Sequence, residues 1–174
     1  MGSADPRTPT EKRVLMKITG TEQNDHLVGG KQCDTLCGLG GNDVIHGGLG
    51  RDKIYGGDGD DIIVAAPSWD YVGDDLYGGA GNDTFVYEHP GASPDISRQR
   101  DTIHDFEAGD KIDFSAISQG SVNHWCPLTF AENIEIVEIK DGWRVTVTSD
   151  NWSPEFTLAI DVLGVKPTEA NFIL

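Results

Sequence analysis

Residues 38–64 read GLGGNDVIHGGLGRDKIYGGDGDDIIV, which divides into three consecutive units of nine residues. Each unit begins with a glycine, carries an aspartate at its sixth place and has an isoleucine at its eighth place. A unit of nine is too short for a pair of helices, and its glycines oppose helix formation throughout. Its glycine-rich start favours a tight turn, and its last three places, with one inward apolar side chain, favour a very short strand.

The same register extends to both sides of this stretch. It continues upstream as GTEQNDHLV (20–28) and GGKQCDTLC (29–37), and downstream, after four extra residues (65–68), as WDYVGDDLY (69–77) and GGAGNDTFV (78–86). The aspartates of the sixth place are Asp25, Asp34, Asp43, Asp52, Asp61, Asp74 and Asp83. The apolar residues of the eighth place are Leu27, Leu36, Ile45, Ile54, Ile63, Leu76 and Phe85.

Alternating turns and strands predict an all-β solenoid, in which each unit buries its apolar side only against its neighbours. Two units make one coil, so successive units alternate between two parallel sheets and each turn stacks on the turn two units further on. Stacked turns bring two aspartate carboxylates and several carbonyl oxygens to one point, which forms an oxygen cage suited to a hard cation. Without a cation the carboxylates would repel each other.

The composition agrees with a cation as the principal ligand. Thirteen Lys and Arg residues stand against 29 Asp and Glu residues, which gives a formal net charge of −16 and an isoelectric point near 4.4. A chain this acidic repels nucleic-acid phosphate and anionic lipid, which argues against both as partners. No apolar run reaches the length of a membrane span.

These units resemble the glycine-rich nonapeptide GGxGxDxUx of the RTX (hemolysin-type) calcium-binding proteins. The units at 47–55, 56–64 and 78–86 fit the pattern at every place. The resemblance implies a right-handed parallel β-roll, a two-sheet solenoid with Ca²⁺ between alternate turns and with C-terminal antiparallel strands as its cap. Gln32 stands where this family has glycine, and the unit at 20–28 keeps only its first glycine.

The resemblance also implies the ligands. One turn gives the carbonyls of its second and fourth places, the stacked turn gives those of its first and third places, and both turns give their aspartate. For the pair Asp43–Asp61 the implied carbonyls are those of Leu39, Gly41, Gly56 and Asp58, and for the pair Asp61–Asp83 those of Gly57, Gly59, Gly78 and Ala80. The further pairs are Asp25–Asp43, Asp34–Asp52 and Asp52–Asp74, and the other implied carbonyls are those of Gly30, Gly38, Gly40, Gly47 and Leu49. We expect three to five Ca²⁺ ions, with four as the best estimate.

We divide the chain into a disordered or artificially added tail (1–13), the roll (14–86), a loop (87–100) and a C-terminal β cap (101–174). Residues 101–118 resemble the segment that closes the roll in serralysin-type metalloproteases and in the R-modules of mannuronan C5-epimerases. Its apolar residues Ile103, Phe106, Ile112 and Phe114 would seal the open end of the roll, and its acidic residues Asp101, Asp105, Asp110 and Asp113 are either surface carboxylates or ligands of one more Ca²⁺. Beyond them, 134–149 predicts a β-hairpin around the Asp141-Gly142 turn, and 156–164 predicts another strand.

Catalytic motifs are absent from the sequence. It contains no H-E-x-x-H, no G-x-S-x-G and no phosphate-binding loop. We therefore expect a non-catalytic module of a larger secreted enzyme, such as an epimerase or a metalloprotease. A zinc site of His26, Cys33, Cys37 and His46 is the weaker alternative, because acidic glycine-rich surroundings suit oxygen-seeking cations better; with Cys126, these cysteines are otherwise incidental thiols.

Two functions follow from the resemblance. The first is a monomeric module that folds on Ca²⁺ and supports the folding and export of a secreted, extracellular protein by type I secretion, for which the last residues, GVKPTEANFIL (164–174), resemble the signal. The second is an accessory module that binds alginate or another anionic polysaccharide. Its candidate basic residues are Arg98, Arg100, Lys111, Lys140 and Arg144, and its candidate stacking residues are Trp125, Trp143 and Trp152. Packing in the core or the hairpin is the simpler explanation of the tryptophans.

Overall fold

A computed structural model of the chain describes residues 15–65, 72–88, 100–118, 129–148 and 157–174. The predicted tail (1–13), most of the predicted loop (87–100) and most of the extra residues (65–68) lie outside these ranges. The helices in these ranges are only three or four residues long, far short of a membrane span.

Within these ranges, the structure consists of short strands with three brief helical turns. In chain order the strands are β1 (Lys17–Thr19), β2 (His26–Val28), β3 (Thr35–Gly40), β4 (Val44–His46), β5 (Lys53–Asp58), β6 (Ile62–Val64), β7 (Asp75–Ala80), β8 (Thr84–Val86), β9 (Thr102–Phe106), β10 (Lys111–Asp113), β11 (Ile134–Ile139), β12 (Gly142–Val147), β13 (Leu158–Gly164) and β14 (Phe172–Ile173). The helices are α1 (Ser115–Ser118), α2 (Phe130–Asn133) and a 3₁₀ helix, Glu169–Asn171.

Odd-numbered and even-numbered strands of the repeat lie in two different sheets. The first sheet has the order β1-β3-β5-β7-β9-β13-β12-β11, and the second has the order β14-β10-β8-β6-β4-β2. All pairs from β1 to β10 are parallel, with Leu36 opposite Ile54 and Ile45 opposite Ile63. These pairs are two repeat units apart, which confirms the predicted parallel β-roll.

The roll keeps its register across the extra residues. Ile54 lies opposite Leu76 and Ile63 lies opposite Phe85, although the intervening chain is longer than in the first coils. The next coil is formed by β9 and β10, where Ile103 lies opposite Leu76. These two strands belong to the predicted cap segment and lack the glycine repeat, yet they continue the parallel stack.

One column of side chains from each sheet forms the interior. The eighth-place residues are fully buried apart from the first, which is 9 % exposed; they are Leu27, Leu36, Ile45, Ile54, Ile63, Leu76 and Phe85, followed by Ile103 and Ile112. Burial of each such side chain contributes about 1.5–3 kcal/mol. The core therefore resembles two narrow ladders rather than a broad interior, which leaves the turns at its edges to contribute much of the cohesion.

The C-terminal strands close one end of both sheets. β13 lies parallel to β9, and β12 and β11 follow it as the predicted antiparallel hairpin. β14 adds to β10 in parallel, and Phe172 stacks on Phe114 with ring centroids 6.0 Å apart. Phe106, Ile112 and Phe114 are buried beneath these strands, as expected for residues that seal the end of the roll.

Candidate metal centre

The turns between the two sheets form two stacks, one along each edge of the roll. The first stack consists of residues 20–25, 38–43, 56–61, 78–83 and 105–110, and the second contains residues 29–34 and 47–52 and continues to Asp74 and Asp101. The last residue of every one of these turns is an aspartate, so each stack carries a column of carboxylates.

The aspartates are joined by a repeating hydrogen bond. One carboxylate oxygen, Oδ1, accepts the backbone N–H of the aspartate one coil earlier: the Asp43 N–H donates to Asp61 at 2.7 Å and the Asp61 N–H donates to Asp83 at 2.9 Å. The same bond joins Asp25 to Asp43, Asp34 to Asp52, Asp52 to Asp74, Asp74 to Asp101 and Asp83 to Asp110. Each carboxylate therefore holds the backbone of the preceding coil in place.

The aspartates of the first stack differ in whether their second carboxylate oxygen, Oδ2, accepts a hydrogen bond. At its ends, Asp25 Oδ2 accepts the N–H of Thr21 at 2.6 Å and Asp110 Oδ2 accepts the N–H of Glu107 at 2.8 Å. Between them, the Oδ2 atoms of Asp43, Asp61 and Asp83 are buried and have no hydrogen-bond partner within the described residues. An unsatisfied buried carboxylate oxygen is costly, so these three atoms indicate a ligand.

The glycine at the first place of each turn makes room for this oxygen. A Cβ atom on Gly38 would collide with both Asp43 Oδ2 and the carbonyl oxygen of Gly56 in the next turn. A Cβ atom on Gly56 would meet Asp61 Oδ2 and, at 2.5 Å, the carbonyl oxygen of Gly78. The free carboxylate oxygen of one turn and the first-place carbonyl of the next thus converge in the gap between the turns.

The carbonyls of the second and fourth places face the opposite way, towards the following turn. A Cβ on Gly57 or Gly79 would collide with the second-place carbonyl of the turn before it, and a Cβ on Gly59 or Gly81 with the fourth-place carbonyl. This orientation depends on the left-handed backbone region, which glycine enters without strain. Leu39, with φ of 86°, is the one non-glycine residue there among the described residues.

The first turn of each stack departs from this backbone conformation. Positive φ occurs at the second and fourth places of the turns 38–43, 47–52, 56–61 and 78–83, but not in 20–25 or 29–34. Thr21, Gln23 and Gln32 stand at three of these four places, where glycine is expected, whereas Gly30, at the fourth, is a glycine without positive φ. A turn with positive φ at both places is called complete here. The gap between 38–43 and 56–61 and the gap between 56–61 and 78–83 each lie between two complete turns, whereas the first gap of each stack has a complete turn on one side only.

The stacked carboxylates are difficult to ionise together. Burial raises the pKa of Asp61 to about 6, and the charges of Asp43 and Asp60 add to this effect while the hydrogen bond to Asp43 opposes it. Burial raises the pKa of Asp83 to about 7, with further contributions from the charges of Asp110, Asp61 and Asp105. The pKa of Asp110 is raised for the same reason, its burial.

The donor set of these gaps fits Ca²⁺. Oxygen atoms from carboxylates and main-chain carbonyls are the ligands that Ca²⁺ prefers, and six or more of them complete its shell. The gap between 38–43 and 56–61 brings together Asp43, Asp61 and the turns that contain the predicted carbonyls; the gap between 56–61 and 78–83 does so for Asp61 and Asp83. The described residues contain no group of three or more His, Cys, Asp or Glu side chains placed to hold a metal ion, so each candidate cage depends on main-chain oxygens. The alternative zinc residues His26, Cys33, Cys37 and His46 do not form such a group either, although the rings of His26 and His46 lie with centroids 5.4 Å apart.

Sequence reasoning missed the last coil of the stacks. Asp101 and Asp110 continue the aspartate columns by hydrogen bonding to Asp74 and Asp83, and they do not form a separate surface cluster. The signal was present in ISRQRDTIH (96–104) and DFEAGDKID (105–113), which keep aspartate at the sixth place and isoleucine at the eighth place. It was obscured because both units lack the glycine pair.

The basic candidate residues separate into different surfaces. Arg100 and Arg144 both reach Asp161, at 3.4 and 2.7 Å, on the outer side of the first sheet. Arg51 joins them there through Asp75 at 3.1 Å, and a shallow groove lies between Arg51, Arg100 and Asp161. Lys111 instead donates to the carbonyl of Ala170, Lys140 is exposed beside Asp141, and Arg98 lies outside the described residues.

Aromatic side chains lie beside these arginines, but they are not the tryptophans that the sequence suggested. Tyr55, Tyr77 and His104 stack one above the other with centroid separations of 4.6 and 4.4 Å. His104 also contacts Asp75; burial acts to raise the pKa of Asp75, but the His104 hydrogen bond and the Arg51 charge outweigh it and lower that pKa. Trp143 packs partly against the core beneath Lys166, and Trp125 and Trp152 lie outside the described residues.

Comparisons with known proteins agree with this architecture. A sequence profile of the family described as Peptidase M10 serralysin C terminal matches residues 16–174. The solution structure of the AlgE6R2 subunit from the Azotobacter vinelandii mannuronan C5-epimerase is 27 % identical, with a TM-score of 0.59 over 84 % of this chain and 90 % of that one. The AlgE6R3 subunit of the same enzyme is 23 % identical, with a TM-score of 0.35 over 99 % of this chain and 86 % of that one. A search of curated protein sequences found no match.

The position of an aspartate in the stack predicts how much cation binding its loss removes. Asp61→Asn alters both flanking gaps, whereas Asp25→Asn alters one gap and an oxygen that Thr21 already satisfies. We expect isothermal titration with Ca²⁺ to show a greater loss of bound ions for Asp61→Asn. Equal losses from the two variants would contradict a cage between alternate turns.

The raised pKa values predict opposite pH effects with and without Ca²⁺. Because Asp61 and Asp83 have folded-state pKa values of about 6 and about 7, above the ordinary value of 3.8, their contribution to stability is complete below that ordinary value and is lost as pH rises through about 6 to 7. The cation-free fold should gain β-structure on acidification from about pH 7 to about pH 5, whereas Ca²⁺ affinity should fall, since protons compete for the same oxygens. Circular dichroism and Ca²⁺ titration across this range measure both effects, and repeating them in high salt isolates the net-charge contribution. A Ca²⁺ midpoint independent of pH would contradict the buried carboxylates as ligands.

Proposed function

Since this chain belongs to the family of serralysin C-terminal domains of M10 peptidases, we propose that it is a calcium-responsive folding module of a larger secreted protein. The family is that of an accessory domain rather than a catalytic one, in agreement with the missing catalytic motifs. The proposal rests chiefly on one observation: the buried Oδ2 atoms of Asp43, Asp61 and Asp83 have no hydrogen-bond partner in the part of the chain that the structure describes.

The proposed switch follows from the balance of forces in the stack. Without cations, the columns place buried carboxylates one above the other in a chain with a formal net charge of −16. Each Ca²⁺ replaces repulsion between two turns with attraction to both. A site filled at about 100 times its dissociation constant adds about 2.7 kcal/mol to stability, so several sites together decide whether the roll is folded.

We propose four Ca²⁺ ions. The gaps of Asp43–Asp61 and Asp61–Asp83 have complete turns on both sides and are the strongest of these sites. The gaps of Asp25–Asp43 and Asp34–Asp52 complete the set and are weaker, because their first turns lack the left-handed places. The gap of Asp52–Asp74 involves residues 69–71, which lie outside the described ranges, and it would be the fifth site.

The proposed setting is export by a type I secretion system and folding outside the cell as a monomer. Extracellular calcium modules commonly bind with dissociation constants of about 10⁻⁴–10⁻³ M, a range that separates a calcium-poor cytosol from the extracellular medium. The chain would therefore remain unfolded before export and coil after it.

Calcium-dependent circular dichroism tests the folding switch. We expect the chain in EGTA to lose most of its β-sheet signal and to regain it cooperatively as Ca²⁺ is added. Mg²⁺ serves as the control, because it demands a smaller and more regular octahedral shell and should be much less effective. Full β-sheet signal in EGTA at neutral pH would overturn the proposal.

A second candidate function is the binding of an anionic polysaccharide such as alginate. The observation that favours it is the meeting of Arg51, Arg100 and Arg144 on one face of an acidic protein, next to the stack of Tyr55, Tyr77 and His104. AlgE6R2, the structural relative with the same fold, is a subunit of a mannuronan C5-epimerase. Four divalent ions would offset only half of the net charge, so binding would depend on this local arrangement of arginines.

Titration with alginate oligomers tests the second candidate. Arg51→Ala should weaken binding and its salt dependence, because the Arg51 side chain is 59 % exposed at the groove. Lys140→Ala is the matched control, since this lysine is 91 % exposed and lies beside Asp141, outside the residues that line the groove. Absence of binding at low salt, or equal loss in both variants, would remove this function.

A further inference from the structure

Asn171 is a buried polar residue at the C-terminal end of the roll, and both polar atoms of its side chain are hydrogen-bonded. It is 5 % exposed and lies in the 3₁₀ helix before β14. Its Oδ1 accepts the N–H and the hydroxyl of Thr168, both at 2.9 Å. Its Nδ2 donates to the carbonyl of Asp110 at 2.8 Å and to the carbonyl of Ala108 at 3.2 Å.

The bond to Asp110 replaces one that every earlier turn of this stack makes with the next coil. The sixth-place carbonyls of Asp43, Asp61 and Asp83 each accept a backbone N–H from the residue that follows the aspartate one coil later, in all three cases at 2.8 Å. Asp110 ends the last turn of the aspartate column, because the segment that follows it in the stack, residues 165–171 between β13 and β14, contains no aspartate. The Asp110 carbonyl therefore depends on a donor other than a further turn of the repeat.

The register places Asn171 where that donor would stand. β14 pairs with β10 so that Phe172 lies opposite Ile112, which puts Asn171 opposite Lys111, the residue directly after the aspartate. The backbone N–H of Asn171 is not available for Asp110, because it donates to the Thr168 carbonyl within the 3₁₀ helix at 2.9 Å. The carboxamide makes the bond in its place.

The second hydrogen bond of the Asn171 Nδ2 goes to the carbonyl of Ala108, in the same last turn. Ala108 occupies the fourth place of the turn 105–110, and in the earlier turns the fourth-place carbonyls of Gly41 and Gly59 face the next turn. One primary amide has two N–H groups and can satisfy two such oxygens at once. We infer that Asn171 ends the turn stack, as a positioning residue whose carboxamide takes the place of the backbone N–H that the next coil supplies in every earlier turn.

This role connects Asn171 to the aspartate column. Asp110 is held by Asn171 on one side, and on the other its Oδ1 accepts the N–H of Asp83. Loss of the carboxamide donor should therefore loosen the final coil first and the coils before it progressively less. A residue that only stabilises the protein in general would not produce such a gradient.

The test is amide hydrogen exchange, followed by NMR on the Ca²⁺-loaded full chain, of Asn171→Asp. This variant keeps the shape and both contacts with Thr168, but it turns a donor into an acceptor opposite two carbonyls. We expect exchange in β10 to accelerate at least about tenfold, since a buried acceptor left without a donor is costly, with a smaller change in β8 and none in β4. The Ca²⁺ concentration at half-folding should also rise.

The matched control is Asn133→Asp. Asn133 has a comparable pair of bonds, from its Nδ2 to the Thr148 carbonyl and from the Thr129 N–H to its Oδ1, each 2.8 Å, but it lies beside the hairpin and away from the turn stacks. It should leave exchange in β8 and β10 unchanged. If Asn171→Asp fails to fold, Asn171→Ala, which removes the donor without adding charge, should show the same gradient.

Equal acceleration in all strands, no acceleration in β10, or the same pattern in the control would overturn the inference. These outcomes are separate from the test of the proposed function. Failure of the unaltered chain to respond to Ca²⁺ would refute the folding switch, whereas the exchange gradient can be measured in any condition in which the roll is folded.

Discussion

The structure depends on the repeated hydrogen bond from a backbone N–H to the aspartate carboxylate of the next coil. Through it, Asp43, Asp61 and Asp83 hold the turns in register along one edge of the roll. The apolar interior is only two side-chain columns wide, so the fold depends on the turns for much of its cohesion. The same bond, however, stacks negatively charged carboxylates in these turns. The proposed cation between the turns would resolve the conflict, since it would bind the oxygen that the hydrogen bond leaves unused.

Glycine has a specific purpose in this arrangement. At Gly38 and Gly56 a side chain would occupy the space in which a carboxylate oxygen and the next carbonyl meet. The same requirement explains why Leu39 is conspicuous: it adopts a backbone conformation that its side chain disfavours, and it does so at a place where the carbonyl must face the following turn. The high glycine content of the turns thus leaves space for the proposed cation between them.

Much of the roll could be predicted from the sequence, because the feature that defines it is periodic. Asp43 and Ile45 repeat as Asp61 and Ile63, and this period fixes the stacking and the sheets. The final coil could not be recognised in the same way, since Asp101 and Asp110 are preceded by units without the glycine pair. Contacts between residues outside the repeat pattern could not be predicted either, because no period relates them. Asn171 bonds to Asp110, which is 61 residues away, and Arg51 and Arg100 line the same groove although they are far apart in the sequence.

The spacing of the hydrogen-bonded aspartates has a consequence for how such a protein can change. The partners are 18 residues apart at Asp43–Asp61, 22 at Asp61–Asp83 and 27 at Asp83–Asp110, yet the same bond from a backbone N–H to a carboxylate Oδ1 joins them at each step, at 2.7, 2.9 and 3.0 Å. The strands on either side keep their parallel pairing although the chain between them is longer. Evolution, or a protein engineer, can therefore graft new peptides between coils, provided that the next coil re-forms the same bond.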